Sequence, residues 1–136
     1  MSVRELHNQA MENTILAAKY SDPADPDAGL EYQIKAFELE NQAAQLALEN
    51  ENTTVLTQSV LCRSAAWIAI KAGLFDEAEK VALTALARGP HPEEKGKLLD
   101  ALFTATKKQG YRFHSFEEEQ ADETVAEQEE PELATV

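Results

Sequence analysis

Residues 59–90 read SVLCRSAAWIAIKAGLFDEAEKVALTALARGP, and this stretch decides the fold. Apolar and small residues recur in it at three- and four-residue spacing, which is typical of amphipathic helices. Gly73 divides the stretch, and Pro90 lies at its end. Because glycine commonly ends a helix and proline cannot continue one, we predict two helices here, over about 55–72 and 75–88.

Helical patterns extend to both sides of this stretch. Residues 1–110 contain 19 Ala and only five Gly, and they show no strand-like alternation of Val, Ile and Thr. Alanine at this density favours helix formation and lets helices approach closely. We therefore predict an all-α fold of five antiparallel helices. The other three helices span about 3–20, 28–48 and 92–108, and the predicted helix ends are Ser2 with Glu5, Asp27, Thr53 or Thr54, Gly73 and Gly110.

The composition indicates one acidic domain. The chain has 136 residues, with 12 Lys+Arg against 25 Asp+Glu, a formal net charge of −13 and a pI of about 4.5. This charge argues against binding to nucleic acid or to an anionic membrane surface, both of which need a basic face. The single cysteine, Cys62, excludes an intramolecular disulfide, and no apolar run is typical of a signal peptide or a membrane span. We expect a soluble, cytoplasmic protein.

Much of the negative charge is concentrated in residues 117–136. Residues 117–136 contain nine acidic residues and no basic one. Such a segment has too little apolar surface to offset the entropy of ordering it. We predict a helical domain over 1–114 and a disordered acidic tail over 115–136. Two interpretations of the tail stay open: a solvating appendage without a specific partner, or a mobile segment that binds a basic partner or the groove of this protein itself.

Residues 71–90 resemble the second half of a tetratricopeptide repeat, a helical hairpin of about 34 residues. In register, the full unit would cover 59–92, with Ala66 near the position of a small glycine in the family. The resemblance implies a helical-hairpin array that serves as an interaction surface. The segments AFELENQAAQLAL and RSAAWIAIKAG are also similar to bacterial helical-repeat proteins, a resemblance that implies no activity. Cys62, Ala69 and Ala82 stand where the family has larger residues, and the matching repeat-packing positions are Gly73, Phe75, Ala78, Ala85 and Pro90.

The same register implies that one side of the third helix faces a concave groove. Arg63, Trp67 and Lys71 form a basic–aromatic–basic line there. Arginine can hold a carboxylate through two hydrogen bonds, and tryptophan offers an apolar platform beside it, so an acidic peptide or a C-terminal carboxylate would suit the site. In the alternative interpretation, Trp67 packs against helix one and Arg63 pairs internally with Glu38 or Glu40. The complete set of candidate groove residues is Val60, Arg63, Trp67, Ile70 and Lys71.

No pattern in the chain predicts catalysis, a cofactor or a metal site. His7, His91 and His114 lie on three separate segments, and none follows a glutamate at the three-residue spacing of helical di-iron sites. We interpret His91 as a turn or cap residue and Cys62 as a core position. The leading hypothesis is a non-catalytic protein–protein interaction module that binds a peptide or partner helix in an apolar groove. The alternative hypothesis is a structural homo-oligomer whose apolar helix faces self-associate.

Overall fold

A computed structural model describes the backbone of residues 1–120 and the side chains of residues 1–110. This part of the chain forms five α-helices and no β-strand, which confirms the predicted all-α fold. Consecutive helices pack as antiparallel neighbours and α3 also packs against α5, whereas α1 and α3 scarcely touch. The candidate site lies in the space between α1 and α3. The helices are α1 (Val3–Lys19), α2 (Leu30–Glu49), α3 (Val55–Lys71), α4 (Phe75–Ala87) and α5 (Pro92–Gln120).

Alanine forms most of the core. More than half of the buried apolar side chains among residues 1–110 are alanines, and several, such as Ala36, Ala66 and Ala78, have no exposed surface. Because their side chains are so short, neighbouring helices can pack closely. Larger residues such as Phe37 and Leu98 fill the space between these contacts. None of the helices within residues 1–120 combines the length and apolarity that crossing a bilayer requires.

Two helix starts follow the sequence prediction. Ser2 and Glu5 form a capping box, in which the Glu5 amide donates to Ser2 Oγ at 3.1 Å and the Ser2 amide donates to Glu5 Oε1 at 2.8 Å. The bond from the Ser2 amide, with the Ser2 side chain second, holds the pKa of Glu5 below its usual value. Thr54 caps α3 by accepting a hydrogen bond from the Thr57 amide at 3.1 Å.

The predicted stop at Gly73 is also confirmed. Gly73 has a φ of +78°, in the left-handed region. The Leu74 amide donates to the Ala69 carbonyl at 2.8 Å, and the Gly73 amide donates to the Ile70 carbonyl at 3.0 Å. These two bonds form a Schellman motif, which satisfies carbonyls that the end of the helix leaves without partners. The chain therefore passes from α3 to α4 through residues 72–74 alone.

The prediction of Asp27 as the cap of α2 is wrong, because Gly29 takes that position without a side-chain cap bond. The side chains of Asp22 and Asp25 each accept a hydrogen bond from the backbone amide two residues ahead, so the loop is a run of tight turns. These turns delay the start of the helix. Gly29 has a φ of +82°, and a Cβ there would lie 2.6 Å from the carbonyl oxygen of Ala17.

The predicted end of the fifth helix is wrong as well. Gly110 does not close α5, which continues to Gln120. The glycines with positive φ include Gly73 but not Gly110, which keeps the helical conformation. A glycine inside a helix costs only about 1 kcal/mol relative to alanine, too little to end a helix by itself. Residues 115–120, assigned to the tail, therefore belong to α5, and residues 121–136 lie outside the described part of the chain, where the tail stays a prediction.

Candidate functional site

A groove of about 810 Å³ lies between α1 and α3, where these helices stand apart. Its walls are mostly apolar and small on the α1 side, and they become charged where α3 approaches α5. The groove exists because α2 and α5 both pack against α3, while α1 packs mainly against α2. Besides two cationic residues of α3, the lining side chains include Met11 and Ala17 from α1, Trp67 and Ile68 from α3, and Lys97 and Asp100 from α5.

Three of the five candidate groove residues line this groove, namely Arg63, Trp67 and Lys71. Val60 and Ile70 do not, and a contact of these two residues with a ligand stays a prediction. Successive residues of an α-helix are rotated by about 100°, which turns Ile70 by about 90° from the middle of the groove-lining face. Ile70 instead packs against the core. Val60 lies one helical turn before Arg63, beyond the end of the groove.

Arg63 is held in place by a carboxylate of α5. Its Nε donates to Oε1 of Glu94 at 2.7 Å, and Nζ of Lys97 lies 3.5 Å from the other carboxylate oxygen. Glu94 is only 5% exposed. Its burial by itself would raise the pKa, but the hydrogen bond and charge of Arg63, assisted by Lys97, outweigh this and leave the pKa of Glu94 below its usual value. Arg63 thus pairs internally and also lines the groove.

The predicted partners of Arg63, Glu38 and Glu40, are wrong. Glu40 has no exposed surface, and its two carboxylate oxygens lie 2.9 and 3.0 Å from Nδ1 of His7 on α1. This contact joins α1 to α2 on their shared face. Glu38 is exposed on α2 and makes no ion pair with another described residue. The carboxylate that reaches Arg63 comes from α5 because α3 and α5 pack directly against each other.

Cationic groups lie at two places along the groove. Arg63 and Lys71 are two helical turns apart, which separates their Cα atoms by about 12 Å along the axis of α3. Trp67 lies between them, partly buried against the core. The hydrogen bond of Arg63 to Glu94 uses Nε, and the side chain of Lys71 is exposed with no ion pair to a described residue. The arrangement can bind two carboxylates with an apolar contact between them.

The repeat-packing candidates take these positions in the structure. Gly73 ends α3, and Phe75, the first residue of α4, packs partly buried against the core. Ala78 and Ala85 of α4 are buried. Pro90 lies in the loop between α4 and α5. These positions place the five residues in and beside a helical hairpin.

The structure places Cys62 in the core and His91 just before the start of α5. Cys62 is 1% exposed, and burial raises the pKa of its thiol to about 11, so the group is neutral near pH 7. His91 precedes α5, and its Nδ1 accepts a hydrogen bond from the Glu93 amide while its own amide donates to Ser59 Oγ. It therefore caps the helix, as interpreted from the sequence. The described residues contain no group of three or more His, Cys, Asp or Glu side chains that could hold a metal ion.

The groove residues of α1 and α5 were not predicted from the sequence. From the sequence, Glu94 was explained only as a negative charge that interacts favourably with the dipole at the start of α5. The three-residue spacing between Glu94 and Lys97 could also have indicated that the two side chains share a site. Glu40 had a signal too, because it lies three or four residues from the apolar residues Phe37, Ala43 and Ala44 of the same helix. Such a position indicates a buried polar group that requires a partner.

Comparisons with protein-family models, with curated proteins and with solved structures find no match for this chain. The likeness to tetratricopeptide repeats therefore stays a resemblance of sequence.

Proposed function

We propose that this protein is a non-catalytic interaction module that binds an acidic peptide, or the acidic face of a partner helix, in the groove between α1 and α3. The observation that carries the proposal is the set of three cationic side chains on the groove, Arg63, Lys71 and Lys97, beside apolar walls. In this proposal the module acts in the cytoplasm and uses neither a metal nor a cofactor.

A cluster of cationic side chains is unusual in a chain with a large excess of acidic residues. Asp and Glu outnumber Lys and Arg by 25 to 12, and among the side chains of residues 1–110 that line the groove, Asp100 is the only acidic one. Clustered cations on a concave surface attract a ligand of opposite charge and raise its association rate. Glu94 keeps the guanidinium of Arg63 at the groove, so less side-chain entropy is lost when a ligand binds.

Trp67 provides a direct test, because it is the only tryptophan of the chain and it lines the groove. The probe is the synthetic peptide Ser-Ser-Glu-Ser-Leu-Ser-Glu-Ser-Ser, titrated while tryptophan fluorescence is recorded. We expect saturable binding that weakens at higher salt, because exposed charge pairs are screened. The same peptide with lysine in place of glutamate is expected not to bind.

Two variants assign this binding to the groove. Lys71→Glu is expected to weaken the affinity for the acidic peptide by about fivefold or more, the equivalent of about 1 kcal/mol. Lys95→Glu is the matched control, because Lys95 is an exposed α5 residue that does not line the groove. Equal binding of the acidic and basic peptides, or equal losses in the two variants, would contradict the proposed function.

One observation favours the alternative hypothesis of a structural homo-oligomer. Thr106 Oγ1 donates to Glu79 Oε2 at 2.6 Å, which sets the register of the antiparallel helices α4 and α5. In that register Leu83 is level with Phe103, and these side chains are 52% and 64% exposed. Two large apolar side chains at one level form a patch that a second copy could cover. The double variant Leu83→Ser/Phe103→Ser, followed by light scattering, tests this alternative by asking whether self-association is lost.

A further inference from the structure

We infer that the groove of one chain binds the acidic segment Glu123–Glu127 of a second copy in an extended conformation, so that two chains pair by exchanging these segments. The inference rests on the proposed function, because it assigns an occupant to the same groove. Three observations support it: the spacing of the cations, the sequence of this segment, and the distance to which α5 carries the chain.

The spacing of the cations fits an extended ligand. Arg63 and Lys71 are separated by about 12 Å along α3. An extended chain advances about 3.3 Å per residue, and its alternate side chains point to the same side. Two carboxylates four residues apart therefore span about 13 Å and face one surface together with the residue midway between them. A matching ligand has an acidic, an apolar and an acidic residue at alternate positions, with the apolar residue opposite Trp67.

This chain contains that pattern. Residues 123–127 read Glu-Thr-Val-Ala-Glu, which places Val125 midway between Glu123 and Glu127. Within residues 117–136, the other acidic pairs at this spacing flank a glutamine or an alanine. Residues 123–127 are therefore the window of the acidic segment that offers two carboxylates and a branched apolar side chain on one face.

The length of α5 requires the segment to come from a second copy. Helices α3 and α5 run in the same direction, each being antiparallel to α4, and Arg63 lies beside Glu94. Lys71 is then level with about residue 102 of α5, and Gln120 lies about 27 Å further along that helix. Glu123 is three residues beyond Gln120, so it reaches at most about 11 Å back. The segment cannot occupy the groove of its own chain while α5 extends to Gln120.

Exchange in both directions gives a closed pair. Each chain has one groove and one segment, so reciprocal exchange forms a twofold dimer with neither site left over. Residues 117–136 carry nine acidic residues, and the pairing brings part of this charge to the cations of the partner groove. The dimer should therefore dissociate as salt concentration rises.

Analytical ultracentrifugation of the full chain tests the inference. We expect a concentration-dependent dimer whose dissociation constant rises roughly tenfold in Glu123→Gln/Glu127→Gln, because four exposed charge pairs, two at each groove, are lost from the dimer. Glu129→Gln/Glu130→Gln removes the same charge outside the pattern and should leave the dimer unchanged. In the groove, Lys71→Glu should weaken the dimer and the control Lys95→Glu should not.

Mixing two variants gives the sharpest result. Lys71→Glu keeps its segment but has a weakened groove, and Glu123→Gln/Glu127→Gln keeps its groove but has a weakened segment. Their mixture should form a one-sided dimer more strongly than either variant does alone. A monomer at every concentration, a dimer that is indifferent to both variants, or equal weakening by Glu129→Gln/Glu130→Gln would overturn the inference.

The outcome is separable from that of the proposed function. If the full chain stays monomeric while the synthetic acidic peptide binds at Trp67, the exchange is wrong and the proposed function stands. If the peptide does not bind, the proposed function falls, and the exchange falls with it. A dimer abolished by Leu83→Ser/Phe103→Ser but not by Lys71→Glu would replace the exchange with the apolar patch.

Discussion

The α1–α2 hairpin turns through residues 20–29, whereas the α3–α4 hairpin turns through residues 72–74. Each hairpin also provides a side chain that contacts a buried glutamate. In the first, Glu40 and its partner His7 belong to the same hairpin. In the second, Arg63 reaches out of the hairpin to Glu94 on α5. The α1–α2 contact is closed within its own hairpin, while the α3–α5 contact lies at the edge of the groove.

This difference explains why the candidate site lies where it does. The α1–α2 hairpin completes its polar contact internally and reaches the rest of the fold mainly through α2. Helix α1 can therefore stand away from α3 without leaving Glu40 unpartnered. Helix α3 cannot move away from α5 in the same way, because Arg63 of α3 donates a hydrogen bond to Glu94 of α5. The result is a groove with one apolar wall and one wall whose cation is held in place.

The largest expected effect comes from His7→Ala. His7 is the hydrogen-bond partner that the structure gives to Glu40, whose side chain is fully buried. Removing the partner of a buried polar group leaves that group without a hydrogen bond in the core, so we expect the free energy of unfolding to fall by about 3 kcal/mol. Urea denaturation followed by circular dichroism measures this loss.

His7→Asn is the matched control. The asparagine Nδ2 lies near the position of the histidine Nδ1 and can donate to the same carboxylate. We expect it to recover about half of the loss, roughly 1.5 kcal/mol. Equal destabilisation by both variants would show that the imidazole ring contributes by packing and that the contact with Glu40 is unimportant.

The two hairpin turns can be compared through their glycines. Gly29 and Gly73 have nearly equal φ values, +82° and +78°, but a Cβ at Gly29 would meet the Ala17 carbonyl oxygen at 2.6 Å and one at Gly73 would meet nothing within 4 Å. Gly73→Ala should therefore cost about 1 kcal/mol for the left-handed conformation alone. Gly29→Ala should cost about 2 kcal/mol, because the backbone must also shift.

Thermal or urea unfolding of the two variants measures this difference directly. Since the conformational cost is nearly shared, the excess at Gly29 reports the close approach of the α1–α2 loop to the end of α1. Equal costs at the two positions would mean that this loop yields without strain.

Arg63→Ala is expected to have a smaller, pH-dependent effect. Near pH 7 we expect a loss of about 1 kcal/mol, because the pair with Glu94 lies beside the partly exposed groove. The pKa of Glu94 is lowered in the folded state, so the stability from this pair is present above the usual carboxyl value of 4.5 and is lost as the pH falls through the lowered pKa.

The difference in unfolding free energy between the wild type and Arg63→Ala should therefore narrow as the pH drops below about 4.5. Carboxylates elsewhere in the chain are common to both proteins and cancel in this difference. Glu94→Gln is the control, and Arg63→Ala made in that background should give a difference that does not depend on pH in this range. If the difference in unfolding free energy between the wild type and Arg63→Ala stayed constant with pH, the Arg63–Glu94 pair would be excluded as the cause of that difference.

The sequence allowed the helices to be predicted because their signals are local. The capping box at Ser2, the cap at Thr54 and the stop at Gly73 depend on residues within one or two helical turns. The errors have two sources. The cap at Asp27 was displaced by the tight turns that the side chains of Asp22 and Asp25 form in the loop. The partner of Arg63 was assigned to the wrong helix because spacing within α3 could not show that α5 packs against it.

The same limit applies to the groove. Arg63, Trp67 and Lys71 share one face of α3, and helical spacing alone predicted it. Lys97 and the α1 wall reach the site only through tertiary packing, which no spacing within one helix encodes. Ile70 lies off this face, because a three-residue step from Trp67 falls about 60° short of a full helical turn.

The smallest expected effect has the opposite sign and concerns the glycines of α5. Gly96 and Gly110 both lie inside the helix, and a Cβ added at either position would meet nothing within 4 Å. Gly96→Ala should therefore stabilise the protein by about 0.5–1 kcal/mol, because alanine loses less conformational entropy on folding. Urea denaturation should show a higher midpoint with an unchanged slope, whereas Gly73→Ala should lower the midpoint. Stabilisation at Gly73, or destabilisation at Gly96, would show that the backbone conformations assigned to the α3–α4 turn and to α5 are wrong.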